Sequence, residues 1–151
     1  MVLLRDLENG VFLFLLPFIG SWVTDTFAYF TGRLFGRHKL APVISPKKTV
    51  EGSLGGILFA VAVFGLYGWI VSGRGPVPNY KVLLLAGLLV SVVSQIGDLA
   101  LSAIKREYGI KDYSRLFPGH GGVLDRFDSV IATAPLILWF CLLGGSFSLF
   151  S

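Results

Sequence analysis

The sequence predicts an all-α, polytopic membrane protein with about four transmembrane helices and two basic cytoplasmic loops. Three observations carry that prediction. Of 151 residues, 54% are hydrophobic and 15% are charged, with a mean hydropathy of +0.74; a soluble domain carries about a quarter charged residues. The apolar residues are gathered into long runs, which is what a bilayer selects for. The net charge of +4 is concentrated mainly in two of the loops between those runs.

Four runs stand out, from about Val11 to Phe30, Leu54 to Val71, Val82 to Ile104 and Ser129 to Leu143. A spanning helix needs about 20 residues, within a working range of about 17–25. The first three runs meet that length. The fourth meets it only if Gly144 to Phe150 extends it. Trp and Tyr lie mostly toward run ends, where the membrane interface favours them. The first run is expected to be a span and not a cleaved leader. Arg5 to Glu8 mixes charges, and no small-residue cleavage site follows before Trp22, Thr24 and Asp25.

The loops set the topology. Arg33, Arg37, Lys39, Lys47 and Lys48 lie between the first two runs, and Lys105, Arg106, Lys111, Arg115 and Arg126 lie between the last two. The loop between the second and third runs carries only Arg74 and Lys81. The positive-inside rule then places both basic loops in the cytoplasm and both termini outside. Basic residues disposed this way serve topology and anionic ligands, so no nucleic-acid partner is expected. Cys141 is the only cysteine, which excludes an internal disulfide and a thiolate metal cluster. No repeat or soluble domain is visible, so residues 1–151 read as one membrane-embedded region.

Several polar residues sit where a bilayer does not tolerate them. Asp98 lies inside the third run, where an ionised carboxylate must be paired, solvated or metal-bound; the alternative is a structural hydrogen bond to a neighbouring helix. Asp98, Ser102 and Lys105/Arg106 follow at helical spacing, with Gln95 extending the stripe inward, and such a stripe lines a cavity more readily than it faces lipid. Asp125 and Asp128 share a helix face at the start of the fourth run. They serve either a ligand or simple N-terminal capping. Gly121 and Gly122 just ahead of them let backbone amides approach a phosphate. Asp25, near Ser21 and Thr24, is a further buried acid, functional or merely bonded between helices. Lys47 and Lys48, in Ser45-Pro46-Lys47-Lys48-Thr49-Val50-Glu51-Gly52, either bind phosphate as point charges or form a topogenic, lipid-facing patch.

Together these pieces resemble the CDP-diacylglycerol synthase (phosphatidate cytidylyltransferase) family, specifically its C-terminal catalytic part. The family pattern is S-x-φ-K-R, four residues, K-D-x-small, then P-x-H-G-G-φ-x-D-R-φ-D. It is met without departure by Ser102, Lys105, Arg106, Lys111, Asp112, Ser114, Pro118, His120, Gly121, Gly122, Asp125, Arg126 and Asp128. The Ser45–Gly52 segment and the Asp25 region are also similar to the family. Members usually carry several more spans ahead of this region, so this chain is expected to lack those N-terminal spans.

The resemblance implies transfer of the cytidylyl group of CTP to phosphatidate, giving CDP-diacylglycerol and pyrophosphate in phospholipid biosynthesis. It implies Mg²⁺, one ion or two, held by Asp98 and Asp125, with Asp128 as third ligand or support. Lys105, Arg106, Lys111 and Arg126 are expected to neutralise phosphate charge, and Lys47 and Lys48 to hold lipid or nucleotide phosphate. Ser102, Asp112, Gly121 and Gly122 complete the expected substrate site. His120 either orients a phosphate and protonates the leaving group or makes a structural loop bond. The expected partners are CTP, phosphatidate and membrane lipids. A homodimer is compatible with the reading, and the expected location is a bacterial cell membrane with the active site facing the cytoplasm. Rival readings are a CTP-dependent transferase for another lipid, a truncated non-catalytic subunit, and a transporter built around Asp98 and Asp25.

Overall fold

Helices dominate because every backbone polar group in lipid must be satisfied within its own segment. The computed structural model describes residues 2–5, 10–109, 124–143 and 149–150, and only the backbone at Arg5 and at 124–128. The elements run α1 (Val2–Arg5), α2 (Gly10–Phe35), β1 (Lys39–Ala41), β2 (Ser45–Thr49), α3 (Val50–Ser72), α4 (Tyr80–Glu107) and α5 (Leu124–Leu143). The all-α membrane expectation holds for α2, α3 and α4, each long and apolar enough to cross a bilayer. At about 1.5 Å per residue, a 23-residue helix such as α3 spans the roughly 30 Å hydrocarbon core. The apolar stretch of α5, Ser129–Leu143, is shorter. Among the described residues, length and composition therefore support three of the four expected spans.

Lipid supplies no hydrophobic force between helices, so close packing does the work. Large apolar side chains such as Leu58, Leu66, Trp69, Ile96 and Trp139 point outward. The interior is held by Leu16, Phe64, Leu83, Val90, Ile137 and Phe140. The α2–α3 contact depends on Gly52 and Gly56, one turn apart on α3. A Cβ at Gly52 would lie 2.5 Å from the Ala28 carbonyl oxygen, and one at Gly56 would lie 2.8 Å from that of Thr24. Hydroxyl pairs add to the packing: Ser21 Oγ of α2 and Thr133 Oγ1 of α5 are 3.1 Å apart and wholly buried.

The first basic loop is not an open loop. It folds as an antiparallel hairpin in which Lys39 faces Thr49 and Ala41 faces Ser45. Its strands are three and five residues long and lack apolar alternation, so no strand signal was readable there. Local chemistry fixes the hairpin in place. Thr49 caps α3, its Oγ1 accepting from the Gly52 N–H at 3.1 Å. The Glu51 carboxylate accepts from the backbone N–H groups of Arg37 (3.1 Å) and His38 (3.3 Å) and lies 2.7 Å from His38 Nδ1. Glu51 thereby ties the end of α2 to the start of α3. At the other end of the bundle, Asn79 caps α4, and its N–H donates to the Leu149 carbonyl at 3.1 Å.

Candidate active site

The hairpin closes over the polar ends of α2, α3 and α4 and leaves a cavity of about 460 Å³. Each element contributes for a local reason. Trp22, Asp25 and Tyr29 come from α2, where i, i+3 and i+7 keep them near one face. Strand β2 adds Lys47 and Lys48, the residues immediately before the Thr49 cap. Ser53 comes from the first turn of α3, and Gln95 and Asp98, three apart, come from α4. The cavity therefore joins two basic residues and two acidic ones drawn from three separate parts of the chain.

Lys48 Nζ and Asp98 Oδ2 form an ion pair. The two side chains are 26% and 24% exposed, so solvent screens the pair only partly. The Nζ atom itself is enclosed and makes no well-directed hydrogen bond among the described residues. The contact is a charge pair more than a shaped hydrogen bond. An ammonium has three donors, and one carboxylate oxygen does not saturate them.

One helical turn from Asp98, Gln95 is 93% buried and braced against α3. Its Nε2 donates to the Ser53 carbonyl at 3.2 Å, and the Ser53 hydroxyl donates to Gln95 Oε1. This two-bond bridge sets the first turn of α3, and the β2 residues just ahead of it, against α4. Asp25 is held from another direction: the Ser129 hydroxyl of α5 donates to its Oδ2 at 3.3 Å. The structure thus gives Asp25 both an interhelical bond and a place beside the cavity.

The expected site residues fall into four groups. Lys47, Lys48 and Asp98 meet at the cavity, joined by Asp25 and Gln95. Ser102, Lys105 and Arg106 continue the α4 face beyond Asp98 but are not among the described residues lining the cavity. Lys105 is 8% exposed, whereas Arg106 is open to solvent. Lys111, Asp112, Ser114, Pro118, His120, Gly121 and Gly122 lie outside the described residues. Asp125, Arg126 and Asp128 lie in the first turns of α5, with their side chains outside the description. The sequence reading missed Ser53 and Glu51. Both lie in or just past the Ser45–Gly52 segment, and only the cap spacing from Thr49 hinted at a structured turn there.

The donor chemistry suits Mg²⁺, which takes hard oxygen ligands, few of them from protein, and completes its shell with water and substrate phosphate. Asp25 and Asp98 present carboxylates to one cavity. Among the described residues, no three His, Cys, Asp or Glu side chains converge.

Comparison with known proteins adds an independent line. The Cytidylyltransferase family profile matches residues 1–143. A phosphatidate cytidylyltransferase of Staphylococcus haemolyticus is 45% identical over 130 residues, covering 86% of this chain and 49% of the relative. One from Staphylococcus epidermidis is 47% identical over the same shares. Another, from Staphylococcus saprophyticus, is 41% identical over 146 residues, covering 91% of this chain and 52% of the relative. The chain spans about half the length of the curated relatives it matches.

Proposed function

The chain belongs to the cytidylyltransferase family, and from that premise we propose that it carries the catalytic region of a phosphatidate cytidylyltransferase. The reaction joins CTP and phosphatidate. A phosphate oxygen of the lipid attacks the α-phosphorus of CTP, the bond to the β-phosphate breaks, and pyrophosphate leaves. The observation that carries this reading is the cavity lined by Lys47, Lys48, Asp25 and Asp98, in which Lys48 pairs with Asp98. A site for two polyanions needs cations to bind them and carboxylates to hold a metal.

The attacking phosphate oxygen is already anionic near neutral pH, so no strong general base is required. The difficulty is charge repulsion, and preorganised charge is what lowers such a barrier. Lys47 and Lys48 receive phosphate oxygens, Lys48 exchanging Asp98 for substrate. Mg²⁺ bound by Asp98, with Asp125 and Asp128 or Asp25, would neutralise charge on the triphosphate. Lys105, Arg106, Lys111 and Arg126 supply further positive charge, with Ser102, Asp112, His120 and the Gly121–Gly122 backbone on the substrate side. The basic segments face the cytoplasm, where CTP is made.

The deciding experiment reconstitutes the chain in liposomes with phosphatidate and labelled CTP. CDP-diacylglycerol and pyrophosphate should appear in equal amounts and should vanish in excess chelator. Label transfer to other lipid phosphates but not to phosphatidate would move the activity to another lipid. No transfer to any lipid phosphate would remove the catalytic reading from this chain.

The Gln95–Ser53 bridge makes its own prediction. An interhelical hydrogen bond in a membrane protein contributes about 0.6 kcal/mol on average, so Gln95→Leu should cost little stability. It should nevertheless raise the apparent KM for CTP, because β2 and Lys48 are positioned through α3. Ser53→Thr keeps the hydroxyl and should retain more function than Ser53→Ala. Equal behaviour of the two Ser53 variants would confine the bridge to helix packing.

A further inference from the structure

A second cavity, of about 400 Å³, lies between α2 and α5. Its walls are Phe18, Val130, Ile131, Ala134, Pro135 and Leu138, with Leu4 of α1. All are apolar. Ile131 and Pro135 are exposed, so the groove opens sideways toward lipid.

The groove lies next to the polar cavity: α2 lines both, and α5 lines the groove. On α2, Phe18 lies seven residues before Asp25, two helical turns along nearly the same face. Trp22 lies between them and lines the polar cavity, and its ring meets Phe18 edge-on at 5.7 Å. On α5, Ser129 bonds Asp25 and the groove begins at the next residue, Val130. The two helices run antiparallel, so both lead from the charged cavity into the apolar groove in the same direction. Trp22 and Phe18 form the partition between the two.

A ligand that fits both spaces has an anionic headgroup for Lys47 and Lys48 and a hydrocarbon tail that leaves it at this partition. We propose that the α2–α5 groove is the binding site for one acyl chain of the lipid phosphate substrate. This inference rests on the lipid-phosphate reading above and adds to it where the tail lies. From the headgroup in the polar cavity the tail passes the Trp22–Phe18 contact and runs along Ala134 toward Leu138, with Ile131 and Pro135 on the side open to the bilayer.

The test uses the whole chain in phosphatidylcholine liposomes with phosphatidate carrying a photoreactive diazirine midway along one acyl chain. After illumination, labelled residues are mapped by mass spectrometry. Label should concentrate on Phe18, Ile131, Ala134 and Leu138 and should be competed by unlabelled phosphatidate. Ala134→Trp fills the groove and should lower groove labelling about tenfold, equivalent to about two buried methylenes. Ile131→Trp, at the mouth, is the second variant should Ala134→Trp fail to fold. Equal labelling by a diazirine phosphatidylcholine, or label spread over outward residues such as Leu58 and Leu66, would overturn the proposal and make the groove ordinary lipid contact. Equal competition by phosphatidate and a polyprenyl phosphate would support the groove while overturning the choice of phosphatidate as substrate. Phosphatidate turnover with the tail labelling elsewhere would overturn the groove and leave the function intact.

Discussion

Asp98→Asn is expected to lower CTP-dependent lipid labelling by about 10²–10³-fold, the loss that follows removal of one preorganised charge-stabilising group. The substitution keeps the side chain's shape and removes its charge. In the native cavity that charge faces Lys48, and under the proposed mechanism it also holds the metal. With Asn in place, the Lys48 ammonium loses its ion-pair partner. Breaking a fully buried pair costs about 3–5 kcal/mol. Here both side chains are about a quarter exposed, and the cost should be well below that. Stability should therefore fall modestly while turnover collapses. The check is turnover at saturating CTP beside detergent stability of the same preparation. Turnover close to wild type would exclude Asp98 from the chemistry. Lys48→Met combined with Asp98→Asn completes a double-mutant cycle, and strict additivity would mean that the pair does not act as a unit.

The second large effect is structural. Gly52→Ala is expected to destabilise the bundle by about 1–3 kcal/mol, the usual range for overpacking. The added Cβ meets the Ala28 carbonyl oxygen at 2.5 Å and Gly32 Cα at 3.0 Å, and backbone cannot rotate away as a side chain can. Relief requires α2 and α3 to separate, and the hairpin between them would move with α3. Gly65→Ala is the control, since its Cβ meets only the tip of Leu84 at 3.3 Å. Unfolding in detergent by increasing denaturant should separate the two variants clearly. If Gly52→Ala unfolds with Gly65→Ala at the wild-type midpoint, close α2–α3 contact is not what holds this face together.

Much of the fold was legible because a bilayer leaves few options. Runs near Val11–Phe30, Leu54–Val71 and Val82–Ile104 could only be helices, and the structure extends each by a few residues at its ends. With Leu34, Phe35, Val50 and Tyr80 among the exceptions, most of the added residues are polar or small, such as Thr31 and Arg33 on α2 and Gly52 on α3. Hydropathy ends a run at such residues, while backbone hydrogen bonding continues through them. Among the described residues the fourth apolar stretch is Ser129–Leu143, within an α5 that begins at Leu124, and most of the extension expected over 144–150 lies outside them. The hairpin was not legible, because Ser45-Pro46-Lys47-Lys48-Thr49 lacks the alternation that marks a strand. It forms because Thr49 and Glu51 satisfy backbone donors around it.

The sequence by itself determined which residues were chemically conspicuous. Asp98 and Asp25 stood out as acids inside apolar runs, and Lys47 and Lys48 as paired cations in a basic loop. That much follows from the cost of charge in hydrocarbon, which is a property of each segment alone. Only the tertiary structure decided which of them meet. Lys48 pairs with Asp98 fifty residues later, Gln95 braces Ser53 on another helix, and Asp25 takes its hydrogen bond from α5. Such pairings depend on how closely helix surfaces approach, and that is set by small residues such as Gly52 and Gly56 against the backbone of α2. Periodicity records the face of one helix; it holds no record of the helix that the face will touch.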